Sequence, residues 1–121
     1  MAASTFPVAA RAAPTGPDLK VIYVGGLDCP PCTKWKEQYK ASWLASAEYQ
    51  KVTWVEIDPP RLREAYQERH WPAELKPVLD QLPRKTGTPR FLIVRDGTIV
   101  SNEFGRSKWT IVLADLKKIL G

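Results

Sequence analysis

Cys29 and Cys32 are the only cysteines among the 121 residues, and two prolines separate them in the run Cys29-Pro30-Pro31-Cys32. A disulfide kept for bracing stabilises most when it closes a long loop. This spacing closes almost none. The pair therefore points to reversible thiol–disulfide exchange, with one sulfur attacking as a thiolate and the other resolving the product. A structural zinc ion takes about four ligands, and the chain adds only His70 to these two sulfurs. A metal role needs a site shared between two chains. His70 stands beside Trp71 in a polar connector and reads as a structural or solvated side chain rather than a catalytic base.

The neighbouring residues position the pair. Leu19-Lys20-Val21-Ile22-Tyr23-Val24 is β-rich and largely apolar, the pattern of a buried parallel strand. Gly25, Gly26 and Asp28 break it. A helix is expected over residues 30–48, with Trp35, Tyr39, Trp43 and Leu44 on one apolar stripe. Cys29 then falls at or near the N-cap, where unpaired backbone N–H groups and the helix dipole favour an anion. Such a location lowers a thiol pKa. Cys32 follows one turn later on the same face, within the reach of a disulfide.

Pro30 suits the first helical position, because its missing donor has no partner there anyway. Pro31 removes a second donor and leaves the Cys32 N–H as the nearest backbone group for a Cys29 thiolate. Asp28 opposes ionisation by like charge, whereas Lys34 and the helix end favour it. The balance is a moderately lowered pKa, which leans toward a reductant rather than a strong oxidant. The redox reading stands on an exposed, ionisable Cys29 sulfur with Cys32 a turn behind it.

Further along, Val52, Trp54, Val55 and Ile57 carry a second strand over residues 51–58, ended by Pro59 and Pro60. Two short helical patterns follow, at 61–70 and 73–82, divided by Trp71-Pro72. Residues 90–95 form an apolar strand. Asp96-Gly97 signals a hairpin, and residues 98–103 return. Ser107 is a candidate cap for a last amphipathic helix bearing Trp109, Val112, Leu113, Leu116 and Leu120. This order predicts an α/β fold: a central four-stranded mixed sheet flanked by helices, its first half a right-handed βαβ unit. A CxxC ending the first strand lies where open α/β sheets place their sites.

A chain of this length fits one domain. Residues 1–18, rich in Ala and punctuated by Pro7, Pro14 and Pro17, read as a flexible lead-in or leader remnant; residues 19–121 read as the domain. Ala9-Ala10-Arg11-Ala12-Ala13 has the small residues of a signal cleavage site, without the charged start and apolar run of a complete signal peptide. No run of about 18 apolar residues is present to span a membrane. The formal charge of +5 comes from Lys and Arg scattered through Lys34, Lys36, Lys40, Arg61, Arg63, Arg84, Lys85, Arg90, Lys117 and Lys118. These read as solvated faces, with no groove-sized patch for nucleic acid.

Together, the strand Val21-Ile22-Tyr23-Val24 before the CxxC, Val55-Glu56-Ile57-Asp58, Gly87-Thr88-Pro89 before Phe91-Leu92-Ile93-Val94, Asp96-Gly97 and Gly105 resemble the thioredoxin superfamily from about Leu19 to Leu120. The resemblance implies Cys29 and Cys32 as the catalytic pair and Pro89 as a cis-proline facing them. It implies a substrate-binding surface of Thr88, Pro89, Pro30 and Pro31, with the Thr88 backbone pairing an extended substrate segment. The chain departs from the family at Asp28, where thioredoxins carry Trp. Tyr23 aligns with their buried acid and Trp54 with its lysine partner, which leaves the proton acceptor for Cys32 open between Glu56 and bound water. The segment 59–85 is longer than in a minimal thioredoxin, and the family's first strand and helix have no counterpart.

Exported thioredoxin-like reductases that serve cytochrome maturation or sulfur oxidation look like the closer relatives. The implied activity is reduction of protein disulfides through a mixed disulfide. The alternatives are a disulfide-forming oxidase of the same fold, a non-catalytic binding module and a metal-transfer module. No cofactor is implied. The expected partners are a disulfide-bearing protein and an upstream reductase, membrane-bound in one version, with no nucleic acid. A monomer is expected, periplasmic after loss of a leader, or cytoplasmic as the alternative.

Overall fold

Strand β1 (Leu19–Val24) carries apolar side chains to both faces, and the rest of the molecule forms around it. Leu19, Val21 and Tyr23 point into one cluster, and Ile22 and Val24 into a second on the opposite face. The computed structural model describes residues 18–121. Of the expected lead-in at 1–18, residues 1–17 lie outside the described residues. Asp18 is tied to the hairpin turn: its N–H donates to Asp96 Oδ1 at 2.9 Å, and Asp96 N–H donates to the Asp18 carbonyl at 2.8 Å.

The sheet has four strands in the order β2-β1-β3-β4, with β2 at Thr53–Ile57, β3 at Arg90–Arg95 and β4 at Thr98–Phe104. β1 pairs parallel to β2 and antiparallel to β3, so Tyr23 lies between Glu56 and Phe91 in register. β3 pairs antiparallel to β4. The turn between them has Asp96 at φ 51° and Gly97 at φ 83°, the left-handed pair that a two-residue hairpin requires. A register shift at Ile93/Val94 marks a bulge. The mixed four-stranded sheet with flanking helices is the architecture the sequence predicts.

After the CxxC turn, helix α1 (Pro30–Trp35) runs on through a π-helical stretch, Lys36–Lys40, into α2 (Ala41–Leu44). Trp35 and Trp43 are buried along this run, while Tyr39 and Leu44 pack at its margin. The single helix expected to residue 48 stops at Leu44. Ser46 turns extended there, and its hydroxyl oxygen accepts the Tyr49 N–H at 3.1 Å, capping a separate short helix, α3 (Ala47–Gln50). A serine that offers its own acceptor competes with helix continuation.

The pattern at 61–70 is also corrected: it forms only two 3₁₀ turns, Leu62–Glu64 and Glu68–His70. The Ala65 carbonyl, which would accept a helical N–H, instead takes the Trp71 indole N–H at 2.8 Å. A third turn, Ala73–Leu75, leads into α4 (Lys76–Gln81). Ser107 does not cap the last helix. It sits inside a 3₁₀ turn, Arg106–Lys108, that feeds α5 (Trp109–Leu120) directly, with no side-chain cap bond at Lys108.

The two faces of the sheet differ in kind. One is packed with aromatics: Tyr23, Trp35, Trp43, Phe91 and Trp109 are all essentially buried and in ring contact. The other is mostly aliphatic, built from Ile22, Val24, Ile57, Leu75, Val78, Leu79 and Leu92 with Trp71 at its side. Each such side chain contributes roughly 1.5–3 kcal/mol by burial. Cys29 and Cys32 belong to the aromatic layer. Among the described residues no helix is long and apolar enough to cross a membrane.

Candidate active site

Cys29 is the N-cap of α1, in extended conformation (φ −106°, ψ 108°), with Pro30 and Pro31 opening the helix. Its Sγ accepts the Cys32 N–H at 3.2 Å. That is the one backbone donor the two prolines leave beside it. The Cys29 carbonyl starts the helical ladder by accepting the Thr33 N–H at 3.0 Å. The two cysteines are joined as a disulfide with Cα atoms 5.2 Å apart, comfortably inside the range such a bridge tolerates.

The expectation of an exposed Cys29 sulfur, on which the sequence rests the redox reading, is corrected: Cys29 is 2% exposed and Cys32 is fully buried. That reading rests instead on the cap position of Cys29 and its disulfide to Cys32. The covering group comes from the far side of the chain. The Thr88–Pro89 peptide is cis, and the Thr88 hydroxyl lies 3.3 Å from Cys29 Sγ. Exposed Leu27, Asp28, Pro30 and Pro31 make the rim around the buried pair. Access to sulfur therefore runs along this rim and past Thr88. Of the residues singled out from sequence, Cys29, Cys32, Thr88 and Pro89 converge, with Pro30 and Pro31 at the surface beside them.

The loop carrying Thr88 is held from beneath. Tyr66 donates its hydroxyl proton to the Gly87 carbonyl at 2.5 Å. Arg90 donates from Nε to the Tyr66 hydroxyl at 2.9 Å, from Nη2 to the Thr86 carbonyl at 2.8 Å and from Nη1 to Asn102 Oδ1 at 2.6 Å. Arg90 is therefore a buried strut, 8% exposed, and not part of a solvated face. Burial pushes the Tyr66 phenol above its ordinary pKa, against the opposing charge of Arg90. A hollow of about 240 Å³ opens at this point, lined by Leu62, Arg63, Tyr66, Lys85, Thr86 and Gly87.

The turn before Cys29 is equally constrained. Asp28 Oδ1 accepts the Leu62 N–H at 2.6 Å, fastening the cysteine turn to the connector. Gly26 lies so close to the Leu62 backbone that a Cβ would meet its Cα at 2.5 Å. At Gly25 a Cβ would collide with the Tyr23 hydroxyl and stand 3.0 Å from Cys32 Sγ. Both glycines are there for close approach.

Beneath Cys32 the aromatic layer contains one polar string. Tyr23 donates to Asp58 Oδ1 at 3.2 Å, and Asp58 Oδ2 is paired with Lys36. Lys36 thus leaves the set of solvated cations assigned from sequence: its ammonium also lies 5.7 Å from the Tyr23 ring centre. Burial, and then the adjacent Asp58 carboxylate, push the Tyr23 phenol far above its ordinary pKa. Glu56 is engaged elsewhere, at the surface, by Lys40 and the Trp54 indole N–H, each at 3.0 Å. His70 faces Glu64 in the connector at 3.3 Å, away from the cysteines. Among the described residues no three His, Cys, Asp or Glu side chains gather as a metal site.

Sequence reasoning missed Arg90, Tyr66, Lys36 and Asp58. Their signals are faint. Asp58 closes the quoted Val55-Glu56-Ile57-Asp58 run, and Tyr23 marks where an acid was expected.

The chain has a thioredoxin-like α/β fold with a Cys29–Cys32 disulfide at the start of its first helix. Three thioredoxins of known structure share the architecture. Oxidised thioredoxin from Plasmodium falciparum superposes with a TM-score of 0.53 at 17% identity, covering 86% of this chain and 83% of that one. Thioredoxin f from spinach chloroplast gives 0.56 at 19% identity, covering 96% and 86%. Thioredoxin f2 from Chlamydomonas reinhardtii gives 0.50 at 20% identity, covering 83% and 78%. No family model and no curated protein matches the sequence significantly.

Proposed function

We propose that this chain is a thiol–disulfide oxidoreductase that reduces protein disulfides through a mixed-disulfide intermediate. The observation that carries the reading is the helix-capping Cys29, its Sγ held between the Cys32 N–H and the Thr88 hydroxyl next to a cis-proline. In the reduced protein both groups are donors for a Cys29 thiolate, which attacks one sulfur of a substrate disulfide. The substrate's other sulfur leaves as a thiol. Cys32 then attacks Cys29 Sγ, the bond to substrate breaks, and the enzyme ends in the disulfide form described above.

The substrate segment lies extended along Thr88 and Pro89, with Pro30 and Pro31 on its other side. The basic rim of the neighbouring hollow, Arg63 and Lys85, suits a substrate with acidic side chains flanking its disulfide. Electrons come from a partner reductase, and the site of action is an exported one, in keeping with the Ala-rich start of the sequence. The second reading is the reverse reaction, disulfide formation. The Thr88 hydroxyl beside Cys29 favours it, since extra donors stabilise the reduced form and raise the potential.

A redox titration separates the two directions. A potential near roughly −270 mV supports the reductase, and one near −120 mV the oxidase. A Cys32→Ser variant should trap disulfide-linked partners in cells. If it traps none, and the wild-type protein leaves insulin disulfides intact, the enzymatic reading fails.

A further inference from the structure

Resolution of the mixed disulfide requires Cys32 to lose its proton inside a buried layer. Cys32 is fully buried, in the same core cluster as Tyr23, Trp35, Phe91 and Trp109. The side chain placed where a carboxylate was expected is the phenol of Tyr23. Its hydroxyl and Cys32 Sγ both lie against the bare face of Gly25, where a Cβ would collide with the hydroxyl and stand 3.0 Å from the sulfur. On its other side that hydroxyl is bonded to Asp58. Trp35 stacks on the ring at 5.1 Å and fixes its direction.

We propose that Tyr23 and Asp58 form the proton relay that activates Cys32, with Lys36 as the positioning residue for Asp58. The proposal rests on the redox reading of the cysteine pair and completes its second step. The Cys32 S–H proton passes to Tyr23 Oη as the phenol's own proton passes to the Asp58 carboxylate. The Cys32 sulfur, now a thiolate, forms the bond to Cys29 Sγ. The bond between Cys29 and the substrate sulfur breaks, and that sulfur leaves with the electron pair. Cysteine sulfur is oxidised and substrate sulfur reduced by equal amounts. Asp58, which is part-exposed through its pair with Lys36, returns the proton to solvent.

The other carboxylate near Tyr23 is less suited to the role. Glu56 is held at the surface by Lys40 and Trp54. Of the segments packed on Tyr23, β2 contributes Glu56 and the residue just past that strand is Asp58, while the helical run contributes Lys36 and, through Glu56, Lys40. β3 and α5 present only Phe91 and Trp109. Asp58 is the carboxylate in direct contact with the phenol. The Tyr23 phenol resists ionisation because of burial and that carboxylate, so it relays a proton rather than storing charge.

The test uses the full reduced chain and glutathione disulfide as probe, with acid quenching to follow the Cys29–glutathione adduct. This probe does not depend on which protein is the substrate. Tyr23→Phe keeps the stacked ring and removes only the hydroxyl. The expected result is resolution slowed at least tenfold at pH 7, a threshold set below the roughly 10²–10⁴-fold that positioned proton transfer typically supplies, with adduct formation slowed much less. The defect should shrink as pH rises to 9, because hydroxide replaces the relay. Asp58→Asn should show the same pattern. Resolution within twofold of wild type in Tyr23→Phe, or a loss of equal size at every pH, would overturn the relay. If Asp58→Asn does not fold, Tyr23→Phe decides alone. Normal resolution of glutathione by a wild-type protein that cannot reduce insulin would count against the functional reading and leave the relay standing.

Discussion

The Arg90 guanidinium and the Tyr66 hydroxyl meet at 2.9 Å beneath the loop that carries the cis-proline, 24 residues apart in sequence. Tyr66 passes the constraint on by donating to the Gly87 carbonyl, while Arg90 also grips Thr86. The loop's position over Cys29 is therefore set by side chains from the connector and from β3.

Removing that grip should loosen the loop and the fold together. Arg90→Ala leaves the Thr86 carbonyl and Asn102 without their charged donor, and a buried charge-assisted set of this kind is worth about 3 kcal/mol. Arg90→Lys should recover less than half of it, because an ammonium cannot reproduce three divergent donors from a planar fork. Urea unfolding of both variants checks this; a fully stable lysine variant would mean that charge alone suffices.

The Thr88 hydroxyl gives a redox prediction. Thr88→Val keeps the shape and deletes the donor 3.3 Å from Cys29 Sγ. The reduced form loses more than the disulfide form, so the potential should become more negative by about 15–30 mV. Equilibration with glutathione measures it. An unchanged potential would show that the hydroxyl turns away from the thiolate once the bond is reduced.

Asp28 should act in the opposite sense. Its carboxylate precedes Cys29 and accepts the Leu62 N–H. Asp28→Asn retains an acceptor and removes the charge, which eases ionisation of Cys29 and makes the potential less negative by about 10–15 mV at low salt. At 1 M salt the Debye length is about 3 Å, so the difference should largely vanish. A shift insensitive to salt would point to a change in the turn instead.

What could be read in advance divides along a physical line. β1, β3 and β4, the hairpin at Asp96-Gly97 and the capping position of Cys29 follow from patterns within a few neighbouring residues. The placement of Cys32 N–H against Cys29 Sγ follows from two prolines removing the competing donors. Misread features depend on partners distant in sequence. Arg90 looks like a surface cation until Tyr66, Thr86 and Asn102 surround it. Lys36 looks solvated until Asp58 meets it. Gly25 and Gly26 read as strand breakers, yet their purpose is the room they leave for Tyr23 and Leu62. Residues 61–70 carry helical spacing, but a bond from Trp71 takes the carbonyl that the helix needs.

Alkaline stability offers a measure of the buried phenols that is independent of catalysis. The pKa values of Tyr23 and Tyr66 are both raised in the folded protein, chiefly by burial. A raised folded value means that the stabilising difference is complete below the unfolded pKa, near 10, and is lost as pH climbs toward the folded value. Above about pH 10 the unfolded chain releases these protons while the native state keeps them. Tyr23 then adds a loss of about 1.4 kcal/mol of stability per pH unit, and Tyr66 adds a loss in the same direction. Tyr23→Phe should remove one such contribution, so its urea-unfolding free energy should fall less steeply than wild type between pH 10 and 11, with the two slopes equal below pH 9. Absorbance of phenolate near 295 nm gives the direct check: in Tyr23→Phe one fewer tyrosine should ionise in step with unfolding. Parallel slopes for the two proteins above pH 10 would show that Tyr23 already titrates in the native state, and that its hydroxyl is open to solvent rather than sealed beneath Cys32.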